Sequence, residues 1–125
     1  MNDSLKALRD LWDRHEGPIV FSTVDKAGVP NAIYATFARL LDDGRIVVAD
    51  NYFDKTRTNI KNGSKGSVLF ITKDRKSYQA KGSIDYLTEG PVYEDMRTWV
   101  DDKHPRVAAA VLSVEELYAG AKKLL

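Results

Sequence analysis

Two short turn signals constrain this chain more than any other feature. Ile19-Val20-Phe21-Ser22-Thr23-Val24 is rich in β-branched residues and runs into Asp25-Lys26-Ala27-Gly28; a second extended stretch, from about Asn31 to Leu41, runs into Asp42-Asp43-Gly44 and then Ile46-Val47-Val48-Ala49. Turns this short reverse a strand, whereas a parallel connection needs a crossover of about a dozen residues or more. The first three strands are therefore expected to be antiparallel hairpin partners, which argues against alternating βαβ units.

The remaining elements follow from periodicity. Asn2, Asp3 and Ser4 are capping types, and Leu5, Leu8, Leu11 and Trp12 form the apolar stripe of an amphipathic helix ended by Gly17-Pro18. Asp54 is placed to cap a short helix from Lys55 to about Asn62, with Gly63 as its C′ residue. Val68–Ile71 and Tyr78–Leu87 read as strands, Gly82 marking a bulge or a close backbone approach. Gly90-Pro91 opens a helix with Val92, Met96, Trp99 and Val100 on its apolar face, stopped by His104-Pro105. Val107–Leu112 reads as a last strand, and Ser113-Val114-Glu115-Glu116 as a capping box opening a terminal helix through Leu124. Six short strands with peripheral helices and no linker or repeat suggest one mainly β domain over 1–125, a six-stranded antiparallel barrel that hides its own edges.

Composition narrows the function. The 125 residues include no cysteine, so thiolate metal sites, disulfides and cysteine nucleophiles are excluded. No signal-like N-terminus and no apolar run of about 18 residues is present, which leads to the expectation of a soluble, cytoplasmic protein without a membrane partner. The formal charge of +1 conceals an asymmetry: Lys55 to Lys81 holds eight basic residues against Asp74 alone, a net +7, while the rest of the chain holds 11 basic and 17 acidic residues, a net −6. An anionic partner is to be sought near that segment.

Within it, Lys55, Thr56 and Asn59 open a helix directly after a strand. A mobile ammonium, a hydroxyl and an amide one turn later, beside backbone N–H groups at a helix start, are able to surround a phosphate. The competing reading is a solvated basic helix whose polar residues face water.

At this point the chain resembles the pyridoxamine 5′-phosphate oxidase-like FMN-binding split-barrel superfamily, in its short single-domain form. The resemblance rests on Lys55-Thr56-x-x-Asn59-Ile60, Ser67–Ile71 and Tyr78-Gln79-Ala80-Lys81-Gly82-Ser83, with Gly28-x-Pro30, Gly44–Val48 and Arg106–Glu116 in matching order. It implies a split-barrel homodimer holding FMN near the subunit interface, with a redox role as a flavin-dependent oxidoreductase or electron carrier and an unknown small-molecule or protein redox partner. By position it assigns Lys55, Thr56 and Asn59 to the phosphate, Tyr34 and Ala35 to the flavin or ribityl chain, Asp50 and Asn51 to the ring's polar edge, and Gln79 to the cofactor's vicinity. Tyr34 also reads as a core or interface aromatic and Asp50 as a turn cap. The basic and histidine residues with which the true oxidases hold their substrate's phosphate in a longer C-terminal part have no counterpart before Leu125, so pyridoxamine phosphate oxidation is not expected.

No catalytic acid or base stands out. His15 and His104 lie at predicted helix ends, where a capping role fits better than a metal site, and no cluster has ligand spacing. Tyr93 and Trp99 read as core or interface aromatics, with covering a partner's flavin as the alternative. Two other functions stay open: a nucleic-acid-binding barrel using the +7 segment with Phe70, Tyr78 and Tyr86, against which the overall +1 argues, and a heme- or F420-binding member of the same fold.

Overall fold

The computed structural model describes residues 3–125, so Asn2 in the expected cap lies outside the described residues. Helix α1 (Asp3–Asp13) is followed by β1 (Ile19–Val24) and β2 (Pro30–Ala35), which pair antiparallel as the first turn requires. Asp25 makes that turn by accepting the N–H groups of Ala27 and Val29 on Oδ1, each at 2.9 Å, with Gly28 at φ +82. The second hairpin joins β3 (Ala38–Leu40) to β4 (Ile46–Asp50).

The expected single strand from Asn31 to Leu41 is in fact two. The chain leaves β2 at Ala35, turns through Thr36 and Phe37, and continues as β3 in a different place. After β4 come α2 (Lys55–Lys61), β5 (Gly66–Ile71), β6 (Ser77–Leu87), α3 (Pro91–Trp99), β7 (Ala108–Ala119) and a two-residue β8 (Lys122–Lys123). Every strand pair is antiparallel, and the order is β2-β1-β5-β6-β7-β4-β3, with β8 on β7. The two outermost strands of this path, β2 and β3, are consecutive in the chain, so the sheet curls until its edges meet at the Thr36-Phe37 junction. That is a split barrel, built among the described residues from eight strands rather than six.

The terminal helix expected from Ser113 does not form. Residues 108–119 are one long strand paired with β6 from Leu87↔Ala109 to Tyr78↔Ala119. A helix would have left that half of β6 unpaired and exposed Leu117, which is instead fully buried. Gly82 behaves as its position suggested: the register shifts between Lys81 and Gly82, and a Cβ there would lie 1.7 Å from the Ser113 carbonyl oxygen. Asp54 precedes α2 but makes no side-chain cap, and Asn62 is the C-cap with Gly63 following at φ +88.

Two apolar clusters follow from the strand alternation. Ile46 and Val48 of β4 face the barrel interior with Phe21, Val68, Phe70 and Leu112, where Leu8, Leu11 and Trp12 of α1 join them. Val47 and Ala49 face outward under Met96 and Val100 of the α3 region. A strand buried on both faces has no polar side, which explains the unbroken apolar run of β4. Arg9 ties α1 down by donating from Nη2 to the carbonyls of Leu40 and Leu41, each at 3.2 Å.

Candidate functional site

A groove of about 390 Å³ opens where the β2–β3 junction meets the β4–α2 connection, a volume within the range of small-molecule sites. It has two chemically different ends. At the polar end are Asn31, Lys55 and Thr56. Thr56 is buried with its Oγ1 accepting from Asn31 Nδ2 at 3.1 Å, whereas the Lys55 side chain is exposed and forms no ion pair among the described residues. At the other end Ala35, Phe37, Phe53, Tyr52 and His104 line an apolar and aromatic wall. Tyr34 and Tyr52 are 78% and 72% exposed beside it.

Five of the eight residues singled out in the sequence line this groove: Tyr34, Ala35, Asn51, Lys55 and Thr56. Asn51 uses its Oδ1 to accept the Arg106 N–H at 3.0 Å, leaving its side-chain NH₂ donors without a partner among the described residues. Asn59 is buried and donates to Thr23 Oγ1 at 3.0 Å; it borders a smaller hollow beside Lys55 and is committed to holding α2 against β1. Gln79 sits half-buried on β6 between Leu69 and Tyr118, outside the groove.

Asp50 is fully buried and does not line the groove either. Its carboxylate accepts the Phe53 N–H at 3.0 Å and the Tyr86 O–H at 2.5 Å in addition to two bonds from Arg57. These bonds raise the Arg57 pKa further above its already high ordinary value. Burial, then the bond to Asp50, pushes the Tyr86 phenol up to about 12. The knot fixes the start of the 51–54 segment, and with it the groove wall.

Sequence reasoning missed His104 and Tyr52 as a pair. The imidazole Nδ1 lies 3.1 Å from the Tyr52 hydroxyl, and the ring packs 5.1 Å from Phe37. A sequence separation of 52 residues leaves no local signal for such a contact. His15 does lie against a helix end, its Nδ1 at 2.5 Å from the Trp12 carbonyl oxygen. Among the described residues no group of three or more His, Asp or Glu is placed to hold a metal ion, and no helix is long and apolar enough to cross a membrane.

The basic segment is dispersed. Arg57 is used internally, Lys65 pairs with Glu115 at 3.0 Å, and Lys81 lies 5.1 Å over the Tyr118 ring. Phe70 and Tyr78 are buried in the barrel, so the aromatic surface that a nucleic-acid reading requires is missing from this segment.

Comparison with known proteins agrees with the architecture. The sequence model described as pyridoxamine 5′-phosphate oxidase matches residues 5–119. An uncharacterized protein of Methanocaldococcus jannaschii is 33% identical over 122 residues, covering 91% of this chain and 80% of its own length. Among solved structures, HupZ of Group A Streptococcus superimposes with a TM-score of 0.75 at 27% identity, over 95% of this chain and 93% of that one. An FMN-binding protein from Syntrophomonas wolfei superimposes with a TM-score of 0.79 at 21% identity, over 93% and 85%. A heme binding protein from Mycobacterium smegmatis reaches 0.69 at 15% identity, over 94% of this chain and 53% of that one. The last two likenesses concern the fold.

Proposed function

The chain belongs to the pyridoxamine 5′-phosphate oxidase family, and from that premise we propose that it is a cytoplasmic FMN-binding flavoprotein with a redox role, a flavin-dependent oxidoreductase or electron carrier, acting as a homodimer. The observation that carries this reading is the two-ended groove: an exposed cation beside a buried threonine held by the half-buried Asn31 at one end, and an apolar, aromatic wall at the other. A phosphate attached through a polar chain to a flat ring has the same division.

In this reading Lys55 binds the phosphate as a charge-assisted donor, and Thr56, positioned by Asn31, lies beside it. Helix α2 has only seven residues, so the side-chain charge outweighs its dipole. Tyr34 and Ala35 run along the ribityl chain and ring, and the free amide of Asn51 donates to the ring's polar edge. Asp50 and Asn59 act from behind, holding the 51–54 segment and α2. FMN, when bound, supplies the electron-transfer chemistry; the protein orients it and excludes water. The exposed Tyr34, Tyr52 and Val29 near the groove support a second subunit covering it.

The visible spectrum of the purified protein, followed by titration with FMN, tests the reading: saturable binding at one FMN per chain is expected, and no flavin bands with no binding overturns it. Light scattering with FMN present is expected to give a dimer mass. A second reading, heme in the same groove, is favoured by the His104 imidazole on its wall; a Soret band in place of flavin bands would select it.

A further inference from the structure

The flavin reading gives one pair of groove residues no part in holding the cofactor. Tyr52 and His104 both line the groove and share a hydrogen bond of 3.1 Å between Oη and Nδ1. The segment that presents His104 is held firmly. His104 N–H donates to the Asp101 carbonyl at 3.1 Å, Arg106 N–H to Asn51 Oδ1 at 3.0 Å, and Val107 N–H to the Asp50 carbonyl at 2.8 Å, while Tyr93 O–H donates to the Arg106 carbonyl at 3.1 Å. Arg106 is kept at φ +48, a left-handed backbone that is strained for a side-chain-bearing residue and persists because its surroundings fix it. Arg106 Nε is in addition buried without a hydrogen-bond partner among the described residues. Strain and an unsatisfied donor are thus tolerated in the segment that sets His104 against Tyr52 and Phe37.

The hydrogen bond between the two side chains changes direction with protonation. Neutral His104 with its proton on Nε2 accepts the Tyr52 O–H at Nδ1. Protonated His104 donates from Nδ1 to the Tyr52 oxygen, which frees the Tyr52 proton for another acceptor. A phenol hydroxyl both donates and accepts, and rotation about its C–O bond redirects the proton without moving the ring. One proton on the imidazole therefore adds a positive charge and releases a donor at the aromatic end of the groove.

We propose, resting on the flavin reading above, that His104 and Tyr52 form a proton-linked couple that favours the reduced, negatively charged flavin ring over the neutral oxidised one. In the test below dithionite supplies the two electrons and solvent the one proton that convert the neutral ring to the anion, and the proton on His104 also comes from solvent. The other charged or titratable groups of the surroundings are Asp101, Asp102, Lys103 and Arg106 on the same segment and Asp54 and Lys55 on the opposite wall. Asp101 is held below the usual carboxylate range, chiefly by the Lys103 N–H, with His104 among the smaller contributors. Thr36 and Phe37 bring no charge. Among these groups His104 carries the imidazole, a ring that accepts at one nitrogen when neutral and donates from both when protonated.

The test uses the full chain loaded with FMN, reduced stepwise by dithionite against a reference dye at about pH 6 and about pH 8.5, on either side of the ordinary imidazole range. The readout is the ratio of the dissociation constants of oxidised and reduced FMN. As the pH is lowered from about 8.5 to about 6, the unmodified protein is expected to shift this ratio towards the reduced ring by about tenfold more than His104→Gln does, the size of one charge-assisted hydrogen bond. Tyr52→Phe, which keeps the ring and removes only the hydroxyl, is expected to lose part of the same shift. If both variants bind FMN and track the unmodified protein at both pH values, the couple is overturned while the flavin reading stands. If the unmodified protein binds no FMN, both fall together.

Discussion

Arg57 grips Asp50 with two parallel bonds, Nε to Oδ2 at 2.8 Å and Nη2 to Oδ1 at 2.9 Å. The acid is fully buried and the Arg57 side chain is 32% exposed. The pair joins the end of β4 to α2 across the segment that forms the groove wall, and Tyr86 from β6 closes it. Removing the cation leaves a buried carboxylate with the Phe53 N–H and the Tyr86 O–H for support. Arg57→Met is expected to lower stability by about 2–4 kcal/mol, less than a wholly buried pair would lose because water still reaches the guanidinium. Urea unfolding measures it, and a change below about 1 kcal/mol would show that the knot is decorative.

The phenol of Tyr86 yields a pH prediction. Its pKa is raised to about 12 in the folded protein from an ordinary value of 10.0, so the folded state keeps the proton longer than the unfolded state. Its contribution is complete below about pH 10 and is lost as pH rises to about 12. Thermal melts of the unmodified protein and Tyr86→Phe should converge over that window. Parallel curves would place the phenol's influence elsewhere.

Gly82 admits no side chain. A methyl group at its Cβ position would overlap the Ser113 carbonyl oxygen, and that neighbour is strand backbone. Gly82→Ala is expected to destabilise by about 3 kcal/mol or more, through distortion of the bulge. A circular-dichroism melt within a few degrees of the unmodified protein would contradict this.

For the phosphate, position should matter more than charge. Lys55→Ala is expected to weaken FMN binding by about tenfold, the loss of one charge-assisted contact. Lys73→Ala and Lys76→Ala, in the β5–β6 turn, are expected to change it less than about twofold. Fluorescence titration compares the three, and equal effects would mean that the local field alone attracts the anion.

The sequence carried the local geometry well and the distant contacts poorly. Asp25, Gly28 and Gly44 announce their hairpins because turn chemistry lies in four or five neighbouring residues. Gly82 was conspicuous for the same reason. The Ser113–Glu116 stretch misled because a capping box is also a local pattern, and what overrode it was the unpaired half of β6, more than thirty residues earlier. Lys55 and Thr56 were legible as polar residues at a helix start. Asp50 looked like a site residue, yet its partners Arg57 and Tyr86 are visible only once β4, α2 and β6 are packed together. In the sequence His104 stands out as no more than a helix-end residue, because Tyr52 and Phe37 reach it only through the fold.

The meeting of β2 and β3 at Thr36 and Phe37 has a dynamic consequence. Those two residues line the groove together with β2 and Ala49 of β4, so an occupant would touch one margin strand, the junction, and the strand on which the other margin strand, β3, is paired. Edge strands are where amide protons exchange first, by local opening. Ligand that binds only the closed form suppresses that opening in proportion to its occupancy. Deuterium uptake at 31–35 and 38–40 should therefore slow in concert when the groove is filled, the bound molecule fastening the cylinder along its slit.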